Sequence, residues 1–185
     1  MSYPTSPDTS LYLIARGKMY AGAWVGSTPP NFDTGLTELG NVNDCSLQPN
    51  EELLDHFSTQ EGVRTKDLTI TLEESYTLEF ELDEISLFNL KMFFRATQSG
   101  NELRAMQALS TNYAVKIVQS NPLSGGPVLT WKCWKVKLTP NGPFSLITSG
   151  EDWSVMSFTG EGLADTANHA SSPYFSITYA TTTTS

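Results

Sequence analysis

Glu79 and Glu81 stand two residues apart in the most acidic stretch of the chain. Paired carboxylates hydrolyse glycosides when a cleft holds them on either side of the scissile bond. Trp24, Trp131, Trp134 and Trp153 add rings on which a sugar could stack. On a strand, however, residues i and i+2 point the same way, so the two acids share one face. That is the spacing of a solvated strand, and a glycosidase is not the expectation. His56 lies among acids and His169 among small residues. Each reads as a surface residue rather than a general base.

No GxSxG, HExxH, P-loop or GxGxxG motif occurs, so no enzyme is expected. Zinc takes about four ligands in close spacing. The chain has two cysteines, Cys45 and Cys133, two histidines and no CxxC pair, so neither metal nor cofactor is expected. Both cysteines read as buried free thiols of a reduced compartment.

The run Trp131-Lys132-Cys133-Trp134-Lys135-Val136-Lys137 interleaves bases and rings, as single-strand binders do. Strict alternation would put Lys135 and Lys137 on one side and Lys132 on the other. The rings then read as core and the lysines as rim, or as partners for an acidic neighbour.

Charge supports that reading. The chain of 185 residues has 11 basic and 20 acidic side chains, a net charge of −9. Residues 51–84 alone hold eleven acids against two bases, which is the whole net charge. An acidic total argues against holding nucleic acid by neutralising phosphates. With 39% hydrophobic residues the chain is long enough and apolar enough for a core. No apolar run approaches the roughly 18 residues of a membrane span. The first seven residues have no basic or apolar region of a secretory signal.

The elements that carry these residues are mostly strands. Residues 1–9 read as a flexible arm, 10–179 as a single domain, and 180–185 as a tail. Short strand-like runs cover 11–16, 18–25 and 42–47, and 48–64 reads as a long acidic loop. Leu68, Ile70 and Leu72 then alternate with Asp67, Thr69, Thr71 and Glu73. After a turn expected near Glu74-Ser75, Tyr76, Leu78, Phe80 and Leu82 alternate with Thr77, Glu79, Glu81 and Asp83. Period two predicts strands packed on one face and wet on the other.

Residues 84–95 break the alternation and predict one helix, capped by Asp83, with Lys91 and Arg95 at its C-terminal end. Its apolar residues run nearly all the way round, so it needs cover on a second side, from a loop or from a neighbouring subunit. Further strands are expected at 113–119, 128–138, 144–148, 153–159 and 174–179. The fold class is mainly β: a β-sandwich or partial barrel with one packed α-helix.

Three segments resemble the major tail tube proteins of siphophages. His56 to Leu68, with His-Phe-Ser-Thr-Gln-Glu-Gly-Val-Arg-Thr-Lys-Asp-Leu, is similar to the family's loop-to-strand entry. Tyr76 to Ile85, leading to Asn89-Leu90, resembles its strand ending in Asp-Glu and running into a single helix. Trp153 to Asp165, finishing Gly-Glu-Gly-Leu-Ala-Asp, resembles its closing strand. Together these cover about a third of the chain, in order. Residues 112–138 match nothing in the family pattern.

The resemblance implies a fold shared with type VI secretion tube proteins, a long hairpin loop and extended terminal arms that reach the next ring, and no catalysis or cofactor. It implies six copies in a ring, and rings stacked into a hollow tube through which the genome passes. Implied partners are further copies, the tape-measure protein, the tail terminator, distal tail proteins and double-stranded DNA in transit without specific binding. No membrane is involved. The implied location is the virion tail, assembled in the host cytoplasm.

On that reading Asp67, Thr69, Thr71, Glu73, Glu79 and Glu81 are expected to face the lumen. Leu53, Leu54, Phe57 and Arg64 are expected to contact the next ring, and Phe88, Met92 and Phe93 a neighbouring subunit. A non-catalytic virion joining module or a carbohydrate-binding β-sandwich is the alternative.

Overall fold

The computed structural model describes residues 11–60, 62–107, 111–122, 126–147, 149–150 and 153–181. The expected arm at 1–9 lies outside them, as does the tail beyond Thr181. The strands are β1 (Arg16–Ala23), β2 (Thr37–Glu38), β3 (Val42–Gln60), β4 (Val63–Leu82), β5 (Thr97–Ser99), β6 (Glu102–Arg104), β7 (Asn112–Ser120), β8 (Pro127–Pro140), β9 (Met156–Gly162) and β10 (Phe175–Thr181), with helix α1 (Leu87–Phe93) between β4 and β5.

Eight strands form one antiparallel sheet in the order β2-β1-β7-β8-β9-β4-β3, with β10 also paired to β8. Strands β5 and β6 form a separate small hairpin. The chain is thus mainly β with one short helix, as its alternation predicts. The sheet curls until β1 and β3, five places apart, line one cleft of about 480 Å³.

The core lies on the inner face of this curl. Tyr76, Leu78, Phe80 and Leu82 of β4 meet Met156 and Phe158 of β9, Val136 and Leu138 of β8, and Met92 and Phe93 of α1. Phe80 stacks on Phe158 with centroids 4.8 Å apart, and Phe93 meets Phe158 edge-on at 5.4 Å. Such pairs add to the area they bury.

The glycines of Gly160-Glu161-Gly162 have a packing role. Both point into the core, under Val136, Leu138 and Tyr76. A Cβ on Gly162 would lie 2.0–2.4 Å from three atoms of the Tyr76 ring. Glycine in a strand interior commonly marks such a close approach.

Several expectations change. Of residues 11–16 only Arg16 is in a strand, and residues 144–147 are irregular. No turn occurs at Glu74-Ser75, because β4 runs unbroken from Val63 to Leu82. The acidic segment 48–64, expected as a long hairpin loop, is mostly strand, since β3 extends to Gln60 and pairs with β4. Backbone pairing with β4 continues where side-chain burial stops.

The helix shortens to seven residues. Its N-cap is Ser86, whose hydroxyl accepts from the Asn89 amide at 3.1 Å. Asp83 instead accepts from Asn41 Nδ2 at 2.7 Å. Asn89 is fully buried and its Nδ2 donates to the Leu39 and Glu84 carbonyls at 2.9 and 2.8 Å. That side chain ties the helix start to the segment entering β3.

Candidate interaction site: a projecting two-faced hairpin

Strand β9 pairs with β4 only from Thr77 to Leu82. Beyond that point β3 and β4 continue as a two-stranded ribbon. Its outer ten residues, Glu51 to Gln60, span about 30 Å at roughly 3.3 Å per residue. A two-stranded ribbon alone is marginally stable in water.

Two bulges decide where its side chains point. Glu73 pairs with Glu52 and Thr71 with Leu53, so Leu72 is an extra residue in β4. Leu68 pairs with His56 and Lys66 with Phe57, so Asp67 is a second extra residue. Each bulge shifts the pleat by one residue and exchanges the faces. The apolar stripe of β4 faces the core at Tyr76, Leu78 and Phe80. Past Leu72 it continues on the opposite side, through Ile70 and Leu68.

The ribbon therefore has two different faces. One carries Leu53, Asp55, Phe57, Lys66, Thr69 and Thr71, and its polar groups satisfy one another. Lys66 Nζ lies 2.7 Å from Asp55, which also accepts from Thr69 at 2.9 Å. These two hydrogen bonds hold the Asp55 carboxyl below its usual range. Thr71 donates to Glu51 at 2.7 Å, and Arg64 lies 4.2 Å over the Phe57 ring. The other face carries Leu54, Ile70 and Leu68, which are 52%, 45% and 56% exposed. His56 and Asp67 bond to each other at 2.7 Å at its distal end.

The six residues expected to face a lumen therefore do not share a face. Glu73, Glu79 and Glu81 lie on the outer side of the sheet. Thr69 and Thr71 lie on the other side, and Asp67 sits in a bulge. Glu79 and Glu81 remain exposed on β4, where Glu81 accepts from Ser157 at 3.0 Å. Leu53, Leu54 and Phe57 are exposed as expected, but Leu53 and Phe57 face opposite to Leu54. Met92 and Phe93 are covered by their own chain, so of the three helix residues only Phe88 keeps partial exposure. The helix finds its second side in Phe144 and Phe158.

Strand β8 also departs from strict alternation. A register shift opposite Tyr113 and Val115 lets both Cys133 and Val136 face the core. This moves Lys137 to the outer face that already holds Lys132 and Trp134. Three of the four tryptophans are tied into the chain itself, whereas Trp153 is exposed. Trp24 Nε1 donates to the Trp134 carbonyl at 3.0 Å, and Trp131 Nε1 to Gln119 at 3.0 Å. Trp134 meets Phe32 edge-on at 5.3 Å and stacks on His169 at 3.7 Å.

His169 Nδ1 lies 2.8 Å from Asp165, which is 5% exposed and also accepts from Asn168. Burial pushes the Asp165 carboxyl up, but the bonds from His169 and Asn168 outweigh it and hold it low. Cys133 is buried as expected, whereas Cys45 is exposed along the β1–β3 cleft. Among the described residues no group of three or more His, Cys, Asp or Glu is placed to hold a metal ion.

The geometry defines an antiparallel β scaffold whose distinctive surface is a projecting, two-faced, acidic hairpin. The chain belongs to the family described as protein of unknown function UCP028589, whose model matches residues 12–115, from before β1 into β7. No curated protein sequence matches it. Among solved structures it is similar to a chain of the PVC sheath-tube complex, an extracellular contractile injection system in its extended state. That match has a TM-score of 0.43 and 12% identity, over 97% of this chain and 99% of the other. It is also similar to a chain in the tail of an empty GTA particle refined with C6 helical symmetry. There the TM-score is 0.39 and the identity 9%, over 88% of this chain and 95% of the other.

Proposed function

We propose that this chain is a structural, non-catalytic subunit of a bacteriophage-type tail tube. Six copies close a ring, rings stack through their hairpins, and double-stranded DNA passes through the lumen without being held. Tape-measure, terminator and distal tail proteins bound the tube, which is assembled in the host cytoplasm and ends in the virion.

The observation that carries this reading is the ribbon beyond Tyr76, with exposed apolar residues on both faces. A monomer gains nothing from leaving Leu54, Ile70 and Leu68 in water. They are already about half covered, so burying the remainder contributes about 1 kcal/mol each. A repeating neighbour supplies that cover along an entire polymer. The sequence resemblance at 56–68, 76–90 and 153–165 supports the same reading.

Glu79 and Glu81 suit a lumen wall. Carboxylates repel passing phosphates over about 8 Å at physiological salt, where lysines would retain them. The test is electron microscopy of the purified protein at rising concentration. Stacked hexameric rings are the expected outcome, with Glu79 and Glu81 on the inner wall of a high-resolution map. A protein that stays monomeric at every concentration would refute the reading.

A further inference from the structure

Four rungs of the sheet set like charges directly across from each other. In Asp44–Glu81 and Glu51–Glu74 one carboxylate already accepts a hydroxyl, from Ser157 and from Thr71. The other two rungs have no such relief for their charge among the described residues. Glu52 faces Glu73 on the apolar side of the hairpin, and Lys116 faces Lys132 on the outer side of β7 and β8. Like charges at directly opposed positions destabilise a ladder. Neither rung is neutralised internally, since none of the four side chains forms an ion pair among the described residues. Lys116 Nζ donates to the Phe32 carbonyl at 2.7 Å, and Lys132 Nζ lies 5.8 Å over the Phe32 ring. These contacts place the two ammonium groups but leave their charge uncompensated.

We propose that the two rungs are the halves of one contact between copies. The Glu52–Glu73 rung of one chain docks on the Lys116–Lys132 rung of the next, and the adjoining Leu54, Ile70 and Leu68 are buried alongside. This rests on the tube reading and names the surface that reading requires.

Charge selects the occupant. Two hairpins laid face to face would oppose four carboxylates, so the hairpin rejects another hairpin and accepts the lysine face of a body. Such a contact joins unlike surfaces and propagates from copy to copy. The Leu53–Phe57 face is the poorer candidate. Its polar groups already satisfy one another, and burying them would cost desolvation without a new partner.

A charge exchange tests this. One protein carries Glu52→Lys and Glu73→Lys, the other Lys116→Glu and Lys132→Glu. Because Lys116 also holds the loop at Phe32, a second version of the latter carries Lys132→Glu alone. Circular dichroism confirms that each folds. Assembly is followed by sedimentation and electron microscopy.

The expected result is that each reversed protein alone needs a concentration at least about tenfold higher to assemble, and that mixing the two kinds restores co-assembly. Reversed proteins that assemble as the native chain does would overturn the pairing, as would a mixture that fails to recover. Either result would leave the tube reading standing, provided the native chain still assembles. A native chain that never assembles would remove both.

Discussion

The ring of Tyr76 on β4 occupies the space over Gly162 on β9 that any side chain there would need. The contact locks the last buried residue of β4 where the body ends and the free ribbon begins. Tyr174 holds the same junction, its ring edge-on to Tyr76 and its hydroxyl donating to the Glu74 carbonyl. The direction of the hairpin is set here.

Gly162→Val should therefore be costly. Overpacking a filled core costs about 1–3 kcal/mol. For a chain of this size each kcal/mol lowers Tm by about 2–4 °C. Glu161→Val, on the outward face of the same strand, should stay within about 0.5 kcal/mol. Equal melting curves for the two variants would contradict the assigned packing.

Asn89→Ala removes both donors to Leu39 and Glu84 from a fully buried position. Leaving a buried carbonyl unpaired costs about 1–3 kcal/mol. Urea unfolding should show a lower midpoint with an unchanged slope, which marks a loss of stability rather than of compactness.

The two cysteines should separate in a thiol titration. Burial pushes the Cys133 thiol up to about 12, and the cleft walls with the Asp44 charge push Cys45 up to about 11. Only the thiolate attacks, so native labelling should be slow at neutral pH. It should rise about tenfold per pH unit as alkali converts Cys45, while Cys133 reacts only on unfolding. Two thiols reacting together in the native protein would contradict the burial of Cys133.

Asp165 gives the acid limb a defined sign. Its folded carboxyl lies below the ordinary value of 3.8, so the stability it contributes is complete above that value. It is lost as pH falls through the folded value. Asp165→Asn should lower Tm at neutral pH, and the gap to the native chain should close below about pH 4. A gap independent of pH would assign the loss to packing instead.

Ile70→Asp and Leu54→Asp change exposed ribbon positions and should leave monomer stability within about 0.5 kcal/mol. Assembly, read by sedimentation, should be lost in both. Leu53→Asp, on the self-satisfied face, should assemble nearly as the native chain does. The reverse order would move the contact to the other face.

Strand content, the single helix and the confinement of charge to residues 51–84 were legible in the linear chain. Period-two alternation and burial have the same physical cause, a pleat with one dry side. The core half of β4 could be read directly, because Tyr76, Leu78, Phe80 and Leu82 face inward as they alternate. The faces of its outer half could not be read that way. Leu68, Ile70 and Leu72 alternate as regularly as the core residues do, yet Leu72 bulges and carries Ile70 and Leu68 to the opposite side.

A bulge depends on how two strands register across the ladder, and no residue type announced it. The same holds at Cys133 and Val136, where a shift in β8 brings Lys137 to the face that holds Lys132. Composition and alternation by themselves determined that this chain is a β scaffold with an acidic arm. Only the tertiary pairing decided which side of that arm is apolar and where its charges meet their like.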